Sequence, residues 1–110
     1  SSDLSFTGKL MNNSASLKWT TSTEVNNKGF EVERSQDGTQ FSSIGFVATK
    51  AVGGNATNKN DYTFEDAKIL SGKSFYRLKQ LDKDGAFHYS GIVSISNLKN
   101  SFTAFTIWFW

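Results

Sequence analysis

The chain has no cysteine and no proline among its 110 residues. The first absence removes thiolate nucleophiles, cysteine-ligated zinc and a disulfide scaffold together. The second leaves the turns to Gly, Asn and Asp, which tolerate the positive φ that tight turns need. Histidine occurs once, as His88. A hydrolytic triad would need a Ser on a strained nucleophile turn beside such a base, and no Ser here is flanked that way. The sequence therefore points away from an enzyme. Charge of one sign is also scarce: 12 Lys and Arg against 10 Asp and Glu give a net charge of +2. No basic stripe interleaved with rings is present, so nucleic acid is not an expected partner. The longest strongly apolar stretch, Phe105 to Trp110, is far short of the ~20 residues that cross a bilayer as a helix, and membrane insertion is not expected.

Aromatic residues are abundant: ten Phe, three Trp and three Tyr. Large rings bury much area per residue and compensate for an apolar content of 37%. The length fits one domain with a core of its own. Apolar and polar residues alternate in short runs. Ala15, Leu17 and Trp19 interleave with Ser16, Lys18 and Thr20; Phe30, Val32 and Arg34 interleave with Glu31, Glu33 and Ser35. Similar runs cover Leu4 to Leu10, Phe41 to Thr49, Tyr62 to Asp66, Tyr76 to Leu81, and Phe87 to Ile95. Asp37-Gly38 and Asp84-Gly85 each separate two such runs, a strong hairpin signal. Seven short strands with regular turn signals predict an all-β fold, a seven-stranded antiparallel β-sandwich over residues 1–100. Trp19 is its expected core anchor, and Gly38 and Gly85 its turn formers. Phe87 and Tyr89 are expected inside and His88 outside. The stretch Ala51 to Asn60 is expected to be an exposed, flexible loop.

The order of motifs resembles a known family. Ser16-Leu17-Lys18-Trp19 is similar to the second strand of fibronectin type III domains, and Leu70 followed by Tyr76 is similar to the tyrosine corner of that immunoglobulin-like fold. A variant found in secreted Bacteroidota proteins, next to the C-terminal sorting domain of type IX secretion, is more similar still. Its pattern stands here as Trp19-Thr20-Thr21, Glu24, Asn26-Asn27, Phe30 to Gly38, Phe41 to Gly45, Tyr62 to Asp66, Tyr76 to Gly85, and Tyr89-Ser90. The resemblance covers about residues 14 to 96. It implies a non-catalytic extracellular structural, spacer or assembly module of a secreted or cell-surface protein, on the outer face of a Gram-negative bacterium. It implies neighbouring domains as partners, and a Tyr76 hydroxyl that pins the crossing connection. It also makes the third and sixth strands neighbours, so Glu31 and Glu33 should meet Arg77 and Lys79 across them. Arg34 should pair at the strand end, with Asp66 as a candidate.

Other features carry weaker chemistry. Asp82 and Asp84 before Gly85 begin a calcium-loop pattern, but the closing Glu is missing and a hairpin turn is the expected reading. Asn12-Asn13-Ser14 and Asn55-Ala56-Thr57 match a glycosylation acceptor, which in a bacterial protein is a coincidence of spacing. The tail at 101–110 is uncharged and rich in Phe102, Phe105, Ile107, Trp108, Phe109 and Trp110. Three readings stay open for it: a last strand, a segment for self-association by strand addition, or the start of a sorting domain. The alternative function is a carbohydrate-binding module, with a glycan stacked on a flat pair of solvent-facing rings near residues 50–60 or on the tail. No cofactor is expected.

Overall fold

The structure, a computed structural model, describes residues 4–69 and 71–97. Strands β1 (Leu4–Met11), β2 (Ser14–Thr21), β3 (Asn27–Ser35), β4 (Ser42–Ala48), β5 (Asn60–Asp66), β6 (Gly72–Asp82), β7 (Phe87–Tyr89) and β8 (Val93–Asn97) form two antiparallel sheets. One has the order β1-β2-β5; the other runs β4-β3-β6, with β7 and β8 both paired to β6. The sheets stack as a sandwich because the central strands each turn one apolar face inward. Ala15, Leu17 and Trp19 from β2 and Tyr62 from β5 face Phe30, Val32, Tyr76, Leu78 and Ile95, and all are buried. Trp19 sits at the centre. Its ring stacks on Tyr62 at 5.7 Å and 11°, and meets Phe30 at 5.5 Å and Phe6 at 6.2 Å edge-on. These are the geometries the ring quadrupole favours, adding ~0.5–1.5 kcal/mol per pair to simple burial.

The turns follow from their residues. Asn12 and Asn13, at φ 51° and 65°, join β1 to β2 in a two-residue hairpin. Gly85, at φ 96°, closes the β6–β7 turn, with its amide donating to the Asp82 carbonyl. The Asp37-Gly38 connection is longer than the tight turn expected. Ser42 pairs with Arg34, and Asp37 Oδ1 gathers the amides of Thr39 and Gln40 into a capped loop, with Gly38 at φ 82°.

Three expectations need correction. The last run of apolar residues is two strands, not one. Tyr89 pairs with Lys79 but Val93 with Tyr76, so one extra residue bulges between them, and the Ser90 hydroxyl accepts the Leu78 amide in place of a ladder carbonyl. Phe87 and Tyr89 face outward, 47% and 48% exposed, while His88 lies beside inward-facing Gln80. The odd-numbered residues of β6 point out, and antiparallel pairing carries that face to the odd-numbered residues of β7.

The segment Ala51 to Asn60 is also tied down rather than loose. A two-way bridge joins Ala56 to Glu24, the Asn55 side chain accepts the Asn26 amide, and Lys83 Nζ reaches the Gly53 carbonyl at 2.6 Å. Gly54, at φ 80°, lies so close to β3 that a Cβ would fall 2.5 Å from the Asn27 carbonyl oxygen. Gly54→Ala should therefore cost about 1–3 kcal/mol, read as a lowered urea midpoint with an unchanged slope.

Candidate functional site

Two buried carboxylates organise the polar interior, and both join one sheet to the other. Glu24, 1% exposed, lies between β2 and β3. Its Oε2 accepts the hydroxyls of Thr21 and Tyr62 at 2.7 Å and the Asn60 amide at 3.3 Å. Its Oε1 accepts Asn27 Nδ2 at 2.7 Å and the Thr49 hydroxyl at 2.6 Å. Burial pushes this carboxyl up, but the bonds from Asn27, Thr49, Tyr62 and Thr21 outweigh it, and the net shift is downward. A carboxylate whose lone pairs are already taken by donors has little left to offer a cation.

Asp66, at the end of β5, forms the second centre. Its Oδ2 accepts the Tyr76 hydroxyl at 2.6 Å and Arg34 Nη1 at 2.8 Å; its Oδ1 accepts the Lys68 amide at 3.1 Å. Burial again raises the carboxyl and is overcome, here by Tyr76 first and then Arg34, so Asp66 stays below the usual range. The expected Arg34–Asp66 pair is present. Among the described residues the Tyr76 hydroxyl reaches the crossing connection through the Asp66 side chain, which in turn holds the Lys68 amide. Leu70 lies outside the described residues. Burial and Asp66 together push the Tyr76 phenol well up, so it remains a donor at any physiological pH. Tyr76→Phe deprives a charged acceptor of one donor and should lower stability by about 1.5–3 kcal/mol, checked by thermal and chemical denaturation at pH 7.

The outward face of the larger sheet carries a third grouping. Arg77 Nε donates to Glu33 at 2.7 Å, as the strand order implies. Its guanidinium lies between the rings of Phe41 and Tyr89, 4.1 and 3.9 Å from their centroids, and Lys79 Nζ lies 4.3 Å over Phe87. Lys79 is opposite Glu31 in register, yet it covers the Phe87 ring. Phe87 and Tyr89 meet at 69°, so they do not form a flat platform.

A groove of about 550 Å³ opens where β1 passes the β7–β8 bulge. Leu4, Phe6, Leu78, Ile92 and Val93 supply its apolar walls, and Gln80, His88 and Ser90 its polar ones. His88 is exposed in it and faces no carboxylate among the lining residues.

Of the residues singled out from sequence, Trp19 lies in the core, Tyr76 on Asp66, and Gly38 and Gly85 at positive φ. Asp82 and Asp84 shape the hairpin: Asp84 Oδ1 accepts the Ala86 amide at 3.1 Å. Among the described residues no three His, Cys, Asp or Glu side chains converge as a metal site would require. Phe102, Phe105, Ile107, Trp108, Phe109 and Trp110 lie outside the described residues. Sequence reasoning missed Glu24 as a centre. Its one signal was an acidic residue within a cluster of Thr and Asn, the side chains that cap carboxylates.

Protein-family models and curated proteins give no match to this chain. Solved structures do. A fibronectin type III-like protein from Clostridium thermocellum superposes with a TM-score of 0.56 at 19% identity, over 87% of this chain and 93% of that one. The fold is that of a fibronectin type III-like sandwich. Pectate lyase Pel3 from Pectobacterium carotovorum matches with a TM-score of 0.58 at 18% identity, over 81% of this chain but 25% of the lyase. This chain thus spans about a quarter of that enzyme, and at such identities the likeness concerns the fold alone. The fibronectin type III-like frame accounts for the two-sheet packing around Trp19.

Proposed function

We propose that this chain is a non-catalytic structural module, a spacer or assembly unit within a secreted or cell-surface bacterial protein. One observation carries the reading. The polar groups with the most chemical potential, Glu24 and Asp66, are saturated by donors from several strands and hold the two sheets together. Groups committed in this way fix a shape, whereas a general base needs a free lone pair within reach of a substrate proton. The fibronectin type III-like neighbour, matched over nearly its whole length, supports the same reading. The motif order in residues 14 to 96 supports an origin in secreted Bacteroidota proteins that use type IX secretion, with neighbouring domains as partners.

The test has two parts. Protease treatment of intact bacteria producing the parent protein should remove this module, and protection until lysis would overturn the surface location. Purified chain should release no product from a panel of polysaccharides and esters; turnover that follows His88 would overturn the non-catalytic role.

The glycan-binding alternative draws on the polysaccharide-acting neighbour. It ranks second because Phe87 and Tyr89 stand nearly at right angles and Arg77 already covers Tyr89. Retention on insoluble polysaccharide that is lost in Tyr89→Ala would reverse that ranking.

A further inference from the structure

The groove beside β1 and the aromatic segment 102–110 fit one another. Among the described residues β1 is bonded to β2 alone, so its outer edge presents backbone donors and acceptors to the groove. The bulge at Ser90 to Ile92 interrupts the neighbouring ladder there, and Ile92 remains 53% exposed on the apolar wall. An extended segment from Phe102 would place Phe105, Ile107 and Phe109 on one face, since side chains alternate along a strand. That face matches Leu4, Phe6, Leu78, Ile92 and Val93, and strand addition joins backbone pairing to side-chain pockets in this manner. A volume of about 550 Å³ is in the ~300–1,000 Å³ range of clefts that hold sizeable apolar groups.

The direction of the chain selects whose segment enters. β8 runs from Val93, opposite Tyr76, to Asn97, opposite Gly72. The chain therefore leaves Asn97 at the end of the sandwich away from the groove, about 20 Å from Ser90 at ~3.3 Å per residue. Direct return is obstructed, because β1 lies against β8: a Cβ on Gly8 would stand 3.2 Å from both Val93 and Ile95 side chains. We infer that the groove between β1 and the β7–β8 bulge receives segment 102–110 of a second copy of this chain, head to tail. This deepens the assembly reading above and rests on it. Repeated in one direction such a contact builds a filament or ring, and two copies that exchange segments close as a swapped pair.

The experiment uses the full chain, with mass measured by light scattering across a concentration series. Wild type should exceed the monomer mass increasingly as concentration rises. Ile92→Glu spoils the groove at an exposed position, and Gly91→Arg fills it where a Cβ would meet nothing within 4 Å. Ile107→Glu spoils the segment. Each variant alone should be monomeric, with the wild-type circular dichroism spectrum and melting temperature. Mixing Ile92→Glu with Ile107→Glu should restore one junction and yield a two-chain complex that grows no further. A monomeric wild type overturns the inference. So does assembly lost in Ile107→Glu but kept in both groove variants, which would mean segments adhering to one another. Failure of the mixture to complement overturns it too. None of these results touches the non-catalytic reading, which stands or falls on the turnover assay.

Discussion

Replacing Glu24 with alanine should lower stability by about 3–5 kcal/mol, because several neutral donors lose a charged acceptor and each buried one left unpaired costs ~1–3 kcal/mol. Three hydroxyl or amide donors on β2 and β5, and two from β3 and the end of β4, would lose their common acceptor at once. Each orphaned group adds desolvation, and no cation in the set can take over. Domains of this size have ~5–15 kcal/mol in total, so the variant should be partly unfolded at moderate temperature. Glu24→Gln keeps the volume and two acceptor sites, and should fall between wild type and alanine. The pH dependence gives an independent check. Folding holds the Glu24 carboxyl below its ordinary value of 4.5, so the unfolded chain binds this proton first as acid is added. Its stabilisation is complete above about pH 5 and is lost as pH falls through the folded pKa. Urea titrations of wild type and Glu24→Gln from pH 7 to pH 3 should converge as acid is added. Parallel curves would mean that the charge contributes nothing.

Trp19→Ala should be as damaging, about 3–5 kcal/mol, because the indole is 1% exposed and touches Phe6, Phe30 and Tyr62. Far-UV circular dichroism against urea reads the effect without interference from Trp108 and Trp110. Trp19→Phe makes a finer test. The indole Nε1 is buried without a hydrogen-bond partner among the described residues, and an unpaired buried donor costs ~1–3 kcal/mol. Phenylalanine loses area but also removes that donor, so it should cost clearly less than the lost surface implies. A cost equal to that of alanine would show that indole shape, not area, holds the two layers in register.

The strands were legible in sequence wherever burial on one face imposed a period of two, as in Ala15-Leu17-Trp19 and Phe30-Val32. Arg34 and Asp66 were also legible, since a cation ending an apolar face needs a carboxylate nearby. The orientation of Phe87 and Tyr89 was misread because ring size suggested the interior. Counting through the Gly85 turn from Lys79 would have placed them outside, where they cover Arg77 and Lys79. The split at Ser90 was not legible, because a hydroxyl standing in for a carbonyl leaves no periodic trace. Glu24 was hidden for a different reason. Its partners lie from 3 to 38 positions away in the chain, all of them neutral, so charge pairing does not mark it, and the nearby Thr and Asn read equally well as turn residues. The tethering of residues 51–60 likewise comes from Asn26 and Lys83, which polar composition alone does not connect to it.

The two carboxylate centres sit at opposite tips of β5, one holding Asn60 and Tyr62 and the other at Asp66 itself. An outermost strand ordinarily frays from its ends, where amides swap deuterium fastest. Here both ends are riveted through to the opposite layer, so transient opening should begin midway, around Thr63 and Phe64. The customary exchange gradient along such a strand would then run backwards.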